Sequence, residues 1–185
     1  MPDNASEGYD VVLLIEQALS EQDAAQVHSL HEGLDQQVTY HVLLPLEDAA
    51  ARIESAMGSL TAGDMLASPT MPMSEVDLDA VRKDCQDRTQ SELAQTLDAL
   101  AKSGAIARGE IVTDLPIDAL AAKVAAVDGR EAIILTRPHV VAEFFHLDWT
   151  SKARRRLGVP LLHLLEHENF DEQGEGYGNE GVTGF

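Results

Sequence analysis

Four residues that could bind an anion or move a proton stand at the ends of two apolar runs. Glu16 follows the run VVLLI, and Thr136, Arg137 and His139 end or follow the run AIILT. Arg137 could hold a phosphate or a carboxylate through two parallel hydrogen bonds. His139 could donate a hydrogen bond to the same anion or transfer a proton, because histidine titrates near neutral pH. These residues predict a site for a small anionic ligand.

Two further residues extend this candidate site along the chain. Asp148 ends the segment after the second run, and Thr150 stands at the start of a predicted helix over residues 150–157. Thr150 could cap that helix, whose first backbone amides favour an anion. The alternative interpretation is that Arg137 pairs with Glu16 or Asp148 and that the neighbouring histidine is an ordinary polar loop residue.

A histidine motif near the C-terminus formally matches a zinc-protease pattern. His163, Glu166 and His167 have the spacing H-x-x-E-H, which binds one zinc ion when it lies on a helix. Gly158, Pro160 and the leucine pairs favour a strand, on which the two histidines would lie roughly 13 Å apart. Zinc–nitrogen bonds are about 2.0–2.1 Å long, so we predict no metal site here.

The other reactive side chains are interpreted as structural. His28 and His31 lie one turn apart on the first predicted helix and are expected to be exposed, although they could form a surface metal pair. The single cysteine, Cys85, lies on the apolar face of a long predicted helix and is expected to be buried rather than nucleophilic. We therefore predict no catalytic residue among them.

Apolar runs that are typical of strands alternate along the chain with helical patterns. The predicted helices begin near residues 20, 47, 75, 116 and 150, and the predicted strands cover residues 11–15, 38–44, 106–113, 132–136 and 159–167. Strands joined through helices pair in parallel, and the helices cover both faces of the sheet. We predict one doubly wound, five-stranded α/β domain over residues 1–170, followed by an acidic, glycine-rich tail over 171–185.

Composition and charge exclude several classes of partner. The 185 residues include 13 basic and 32 acidic side chains, for a formal net charge of −19. Such a surface repels DNA and RNA, because nucleic-acid affinity depends on Lys and Arg that neutralise phosphates. No apolar run approaches the roughly 20 residues of a membrane span, and no secretory signal is visible. With one cysteine, these features predict a cytoplasmic protein without a nucleic-acid or membrane partner.

The second half of the chain resembles the universal stress protein family. Residues 105–165 follow that family's order of strand, proline-opened helix, strand of the form D-x-I-I-L, ligand loop, helix and a final strand, here PLLHL. The first half is similar as architecture only. The resemblance implies the strand order 3-2-1-4-5, dimerisation along the last strand and, in some members, binding of ATP or AMP. It also places Glu16 where the family has a carboxylate.

The loop after the fourth strand departs from the family pattern. ATP-binding members have G-x-x-G followed later by G-S or G-T, because backbone amides must approach the phosphates closely. Residues 136–148 contain no glycine, and Pro138 removes one amide. The sequence therefore disfavours ATP or AMP as the cofactor and leaves the ligand open.

The predicted function combines the candidate site with the strand order. In an open parallel sheet of order 3-2-1-4-5, a ligand binds outside the carboxyl ends of strands one and four. We predict a non-enzymatic regulatory protein that binds a small anionic ligand there. We also predict a homodimer joined along residues 159–167, because a long apolar edge invites pairing.

Two other functions are compatible with the same residues. One is a small enzyme acting on a phosphorylated or carboxylated metabolite, in which Arg137 holds the anion and His139 with Glu16 transfers a proton. The other is an interaction module whose acidic face binds a basic partner.

Overall fold

The computed structural model describes residues 8–46, 78–136 and 155–165. These ranges contain strands β1 (Tyr9–Ile15), β2 (Val38–Pro45), β3 (Ile106–Val112), β4 (Glu131–Thr136) and β5 (Leu161–Leu165), and helices α1 (Glu21–Ser29), α2 (Leu78–Lys102) and α3 (Pro116–Val127). No helix in these ranges is long and apolar enough to cross a membrane.

All five strands pair in parallel, in the order β3-β2-β1-β4-β5. β1 lies at the centre, with Leu13 opposite Val42 of β2 and opposite Ile133 of β4. The predicted doubly wound α/β class and the strand order 3-2-1-4-5 are therefore confirmed. Each parallel crossover places its helix on one face of the sheet. Both faces are covered here, by α1 and α2 on one side and by α3 on the other.

The apolar run in β1 is continuous because this strand is covered on both faces. Its residues 11–15 are between 0% and 6% exposed. Val11, Leu13 and Ile15 point to the first face, where they pack with residues of α1 and α2. Val12 and Leu14 point to the second face, which α3 covers.

Local features of the sequence mark the ends of α1 and α3. The Ser20 hydroxyl accepts a hydrogen bond from the Asp23 amide at 3.1 Å, and the Asp23 carboxylate accepts one from the Ser20 amide at 3.3 Å. This capping box starts α1 at the predicted place. Pro116 begins α3, and Asp128 follows it in the left-handed conformation with φ 51°.

Several predicted boundaries differ from those observed. Val27, Leu30 and Leu34 have helical spacing in the sequence, which predicts that the first helix reaches Leu34. α1 ends at Ser29, so Leu34 lies beyond the helix and is 42% exposed. β5 begins at Leu161, two residues after Val159, because Pro160 cannot donate a ladder hydrogen bond. The predicted helix at 47–60, most of the predicted helix at 150–157 and the tail at 171–185 lie outside the described residues.

Two predictions about single side chains had opposite outcomes. Cys85 is 1% exposed, as expected for a residue on the apolar face of a helix. The expectation of an exposed His31 was wrong, because this residue is 6% exposed. Its ring is enclosed between the end of α1 and the sheet, where it bonds to the side chains of Tyr40 and Glu131.

The first testable prediction concerns the contact between β3 and α2. A Cβ atom at Gly109 would lie 2.6 Å from Cδ1 of Leu93 and 3.3 Å from Cδ2 of Leu97. Because Leu93 is buried, we expect Gly109→Ala to lower the free energy of unfolding by about 1–3 kcal/mol through overpacking. Urea unfolding measures this change.

Gly33→Ala is the matched control, because a Cβ atom at Gly33 meets no atom within 4 Å. We expect this variant to stay within about 0.5 kcal/mol of the parent protein. Equal stability of the two variants would show that α2 does not press against β3 as the structure has it.

Candidate functional site

The carboxyl edge of the sheet brings two of the predicted site residues together. Glu16 directly follows β1, and Thr136 is the last residue of β4. Because Ile15 lies opposite Leu135 in the parallel ladder, Glu16 and Thr136 both come next after this pair, at the same edge of the sheet. Both residues are half-buried. The strand order reverses between β1 and β4, and a crevice forms at such a point because the flanking crossovers leave in opposite directions.

The other four predicted site residues lie outside the described part of the chain. They are Arg137, His139, Asp148 and Thr150. Arg137 directly follows Thr136 in sequence. The anion-binding roles of these four residues stay predictions.

A histidine on the edge strand holds the Thr136 side chain. His163 lies opposite Ile134 in the ladder between β4 and β5, and its Nε2 atom is 2.8 Å from Oγ1 of Thr136. Burial lowers the pKa of His163, so its imidazole is neutral at neutral pH. The hydrogen bond orients the hydroxyl of Thr136 at the end of β4.

In the sequence, His163 is marked only as part of the H-x-x-E-H motif. The structure confirms that His163 lies on a strand, whereas Glu166 and His167 lie outside the described residues. The role of His163 as the partner of Thr136 was missed. Only the register between β4 and β5 could have indicated it, since the two residues are far apart in sequence.

Helix α2 contributes a polar cavity that begins at the residue after Glu16. The cavity has a volume of about 600 Å³, and its polar lining residues are Gln17, Arg88, Ser91, Glu92 and Gln95. Amide, hydroxyl, carboxylate and guanidinium groups therefore surround a space that can accept a small polar molecule.

One buried hydrogen bond joins this segment to α2. The amide of Leu19 donates to Oγ1 of Thr96 at 3.1 Å, and Thr96 is fully buried. The Thr96 hydroxyl donates in turn to the carbonyl of Glu92 at 2.9 Å. The segment after β1 is thereby fixed against the helix. No sequence motif marked these helix residues, because their contact with the segment depends on packing across the domain.

Metal binding has no support in the part of the chain that the structure describes. No group of three or more His, Cys, Asp or Glu side chains there could hold a metal ion. At the carboxyl edge the structure places a carboxylate, that of Glu16, and a hydroxyl, that of Thr136, which is hydrogen-bonded to the imidazole of His163. Carboxylates and hydroxyls can recognise hydroxyl and amino groups of a ligand by hydrogen bonding.

Solved structures with the same fold belong to the universal stress proteins. The chain is similar to a universal stress protein family protein from Arabidopsis thaliana with AMP bound, at 13% identity over 89% of this chain and 94% of that chain, with a TM-score of 0.50. It is also similar to a universal stress protein from Archaeoglobus fulgidus, at 12% identity over 84% and 93%, with a TM-score of 0.47. No protein-family model and no curated protein sequence matches. The resemblance is therefore confirmed as a shared fold.

The second testable prediction concerns His163 and pH. Because burial lowers the pKa of His163 in the folded protein, the unfolded chain binds a proton more readily below about pH 6.5. Protonation of the unfolded chain then opposes folding. We expect the stability advantage of the parent protein over His163→Asn to shrink between pH 7.5 and pH 5.5, in paired urea unfolding measurements.

The difference between the two proteins isolates this histidine, since all other titrating groups are common to both. An advantage that grows as the pH falls would contradict the prediction, because it would mean that the folded protein favours a charged imidazole.

Proposed function

We propose that the protein is a ligand-binding regulatory protein of the universal stress protein type. The observation that supports this most directly is the position of Glu16 and Thr136 at the ends of neighbouring parallel strands, where the strand order reverses. Ligands of open α/β sheets bind in the crevice at this point. The single cysteine fits a reducing compartment, and we propose the cytoplasm.

A nucleotide or another phosphate-bearing molecule is the first class of ligand to consider. The Arabidopsis protein with this fold is described with AMP bound. Here the glycine-free loop over 136–148 argues against close wrapping of a triphosphate by backbone amides. We propose that Arg137 binds one phosphate or carboxylate instead, with His139 and the predicted helix start at Thr150 nearby.

We propose that Glu16 forms hydrogen bonds with the part of the ligand that lies away from its anionic group. An ionised carboxylate accepts hydrogen bonds and repels a phosphate, so it suits a hydroxyl or an amino group. Asp148 is proposed to act with Arg137 as its ion-pair partner when the site is empty. Both roles rest on sequence position, together with the placement of Glu16 at the end of β1.

The third testable prediction is a thermal-shift and calorimetric test with AMP, ATP and inorganic phosphate. A ligand at 100 times its Kd adds about 2.7 kcal/mol of stability, which raises the Tm by roughly 5–10 °C for a chain of this size. We expect AMP and phosphate to shift the parent protein and Arg137→Ala to weaken binding at least tenfold. Glu16→Gln should weaken AMP but not phosphate.

Asp35→Asn is the control for the change in charge. Asp35 is exposed and precedes β2, so it lies at the amino ends of the strands, whereas Glu16 lies at their carboxyl ends. This variant should bind as the parent does. No shift with any of the three compounds, or no effect of Arg137→Ala, would contradict the proposed site. Conversion of a phosphorylated compound during the titration, lost in His139→Ala, would favour the enzyme instead.

We also propose a homodimer joined along the last strand. β5 is an edge of the sheet, and its sequence LLHLL places leucines on both faces. Leu162 and Leu165 are only half-buried in the single chain. Pairing of two copies along residues 159–167 would extend the sheet and cover these leucines.

The fourth testable prediction is the mass in solution. We expect sedimentation of the parent protein at tens of micromolar to give twice the chain mass of 20.0 kDa. Leu162→Lys should give the single-chain mass, because an ammonium group would enter the apolar interface. Ile106→Lys is the matched control on the opposite edge strand, where Ile106 is 44% exposed, and it should remain dimeric. A single-chain mass for the parent would overturn the dimer.

A further inference from the structure

A second cavity lies at the amino edge of the sheet, at the opposite end from Glu16 and Thr136. Its volume is about 390 Å³, within the usual range for small-molecule sites. Leu30 and Leu34 line one side, from the end of α1 and the turn that follows, and Leu161 and Leu162 of β5 line another. The walls of this cavity are therefore mainly hydrocarbon.

The polar part of the cavity is built around Glu131 at the start of β4. One carboxylate oxygen, Oε1, lies 3.1 Å from Nε2 of His31, and the other, Oε2, accepts a hydrogen bond from the Tyr9 hydroxyl at 3.0 Å. The Glu131 side chain keeps 19% of its surface exposed. The hydrogen atoms that His31 and Tyr9 direct at this carboxylate thus form hydrogen bonds inside the protein and are not available to a ligand.

The other nitrogen of His31 is also engaged. Its Nδ1 atom lies 2.8 Å from the Tyr40 hydroxyl, which is itself 3.3 Å from the carbonyl oxygen of Val27. Tyr40 is fully buried, and burial raises the pKa of its phenol, so the hydroxyl keeps its proton. Whether Tyr40 donates to the ring or to the carbonyl, no hydrogen atom of His31 points into the cavity.

The described side chains that line the cavity consequently offer acceptors and no donors. A carboxylate has about four lone-pair positions, of which two are occupied here, and the Tyr9 oxygen can also accept. The His31 hydrogen bond lowers the pKa of Glu131 more than burial raises it, so the carboxylate is charged at neutral pH. Among the described residues that line the cavity, none is a lysine or an arginine.

We propose that this cavity binds a small primary amine. Its ammonium group would donate hydrogen bonds to Glu131 and Tyr9, and its hydrocarbon chain would pack against Leu30 and Leu34. A charged donor is favoured over a hydroxyl or an amide, because hydrogen bonds between two ionised groups are stronger than those between neutral groups. The site lies at the other edge of the sheet from the proposed anion site and does not depend on it.

The fifth testable prediction is a calorimetric titration of the full-length protein with n-butylamine, n-pentylamine and n-hexylamine at pH 7.5. We expect saturable binding that becomes about fourfold tighter with each methylene group added, because each buried CH₂ contributes about 0.8 kcal/mol. Hexanoate has a similar hydrocarbon chain with the opposite charge, and we expect it not to bind.

Substitutions separate this site from a general attraction of amines to an acidic protein. Glu131→Gln should weaken hexylamine at least tenfold, because it removes the charge while keeping a similar shape. Glu32→Gln is the matched control, because this carboxylate is 67% exposed and does not line the cavity. It should bind hexylamine as the parent does. Equal loss in both variants would overturn the proposal.

A second variant, at the exposed residue Leu34 beside the cavity, tests the proposal if Glu131→Gln does not fold. Leu34 is 42% exposed, so Leu34→Ser should fold normally. We expect it to weaken hexylamine several-fold more than butylamine. No saturable binding of amines by the parent, equal binding of hexanoate, or an unchanged chain-length series in Leu34→Ser would overturn the proposal. Arg137→Ala should leave amine binding intact, which distinguishes failure here from failure of the anion site.

Discussion

The structure depends on complete enclosure of the central strand. Residues 11–15 of β1 are between 0% and 6% exposed, so their backbone amides and carbonyls have no access to water and must find partners in the sheet. β2 supplies partners on one edge and β4 on the other, and helices cover both faces. The strand order reverses beside β1, between β1 and β4.

Polar groups at the two ends of this strand are used in different ways. At the carboxyl end, Glu16 follows β1 and Thr136 ends the neighbouring β4, and a half-buried histidine orients the threonine hydroxyl. At the amino end, His31 and Tyr9 turn their hydrogen atoms toward Glu131, so the end of α1 is joined to the start of β4. Loss of one partner from such a hydrogen-bonded group would leave a largely buried polar side chain unsatisfied, which is costly. This network therefore restrains α1 and leaves an acceptor surface beside it.

Helix α2 links the edge strand β3 to the carboxyl end of β1. Gly109 allows α2 to approach β3 closely, since any Cβ there would meet Leu93. On the same helix, the Thr96 hydroxyl accepts a hydrogen bond from the Leu19 amide and so positions the segment that follows Glu16. Other residues of the same helix line the polar cavity beside Gln17.

The sequence by itself determined the features that local physics controls. The uninterrupted run VVLLI predicted a strand covered on both faces, the Ser20 and Asp23 pair predicted the start of α1, and the alternation of strands and helices predicted a parallel sheet. With the strand order implied by the family resemblance, it also brought Glu16 and Thr136 to one edge. Tertiary structure alone decided that His31 is buried, that His163 holds Thr136, and that α2 lines a cavity beside Gln17. These contacts join residues far apart in the chain, and they depend on register and helix packing, for which no short sequence pattern carries a signal.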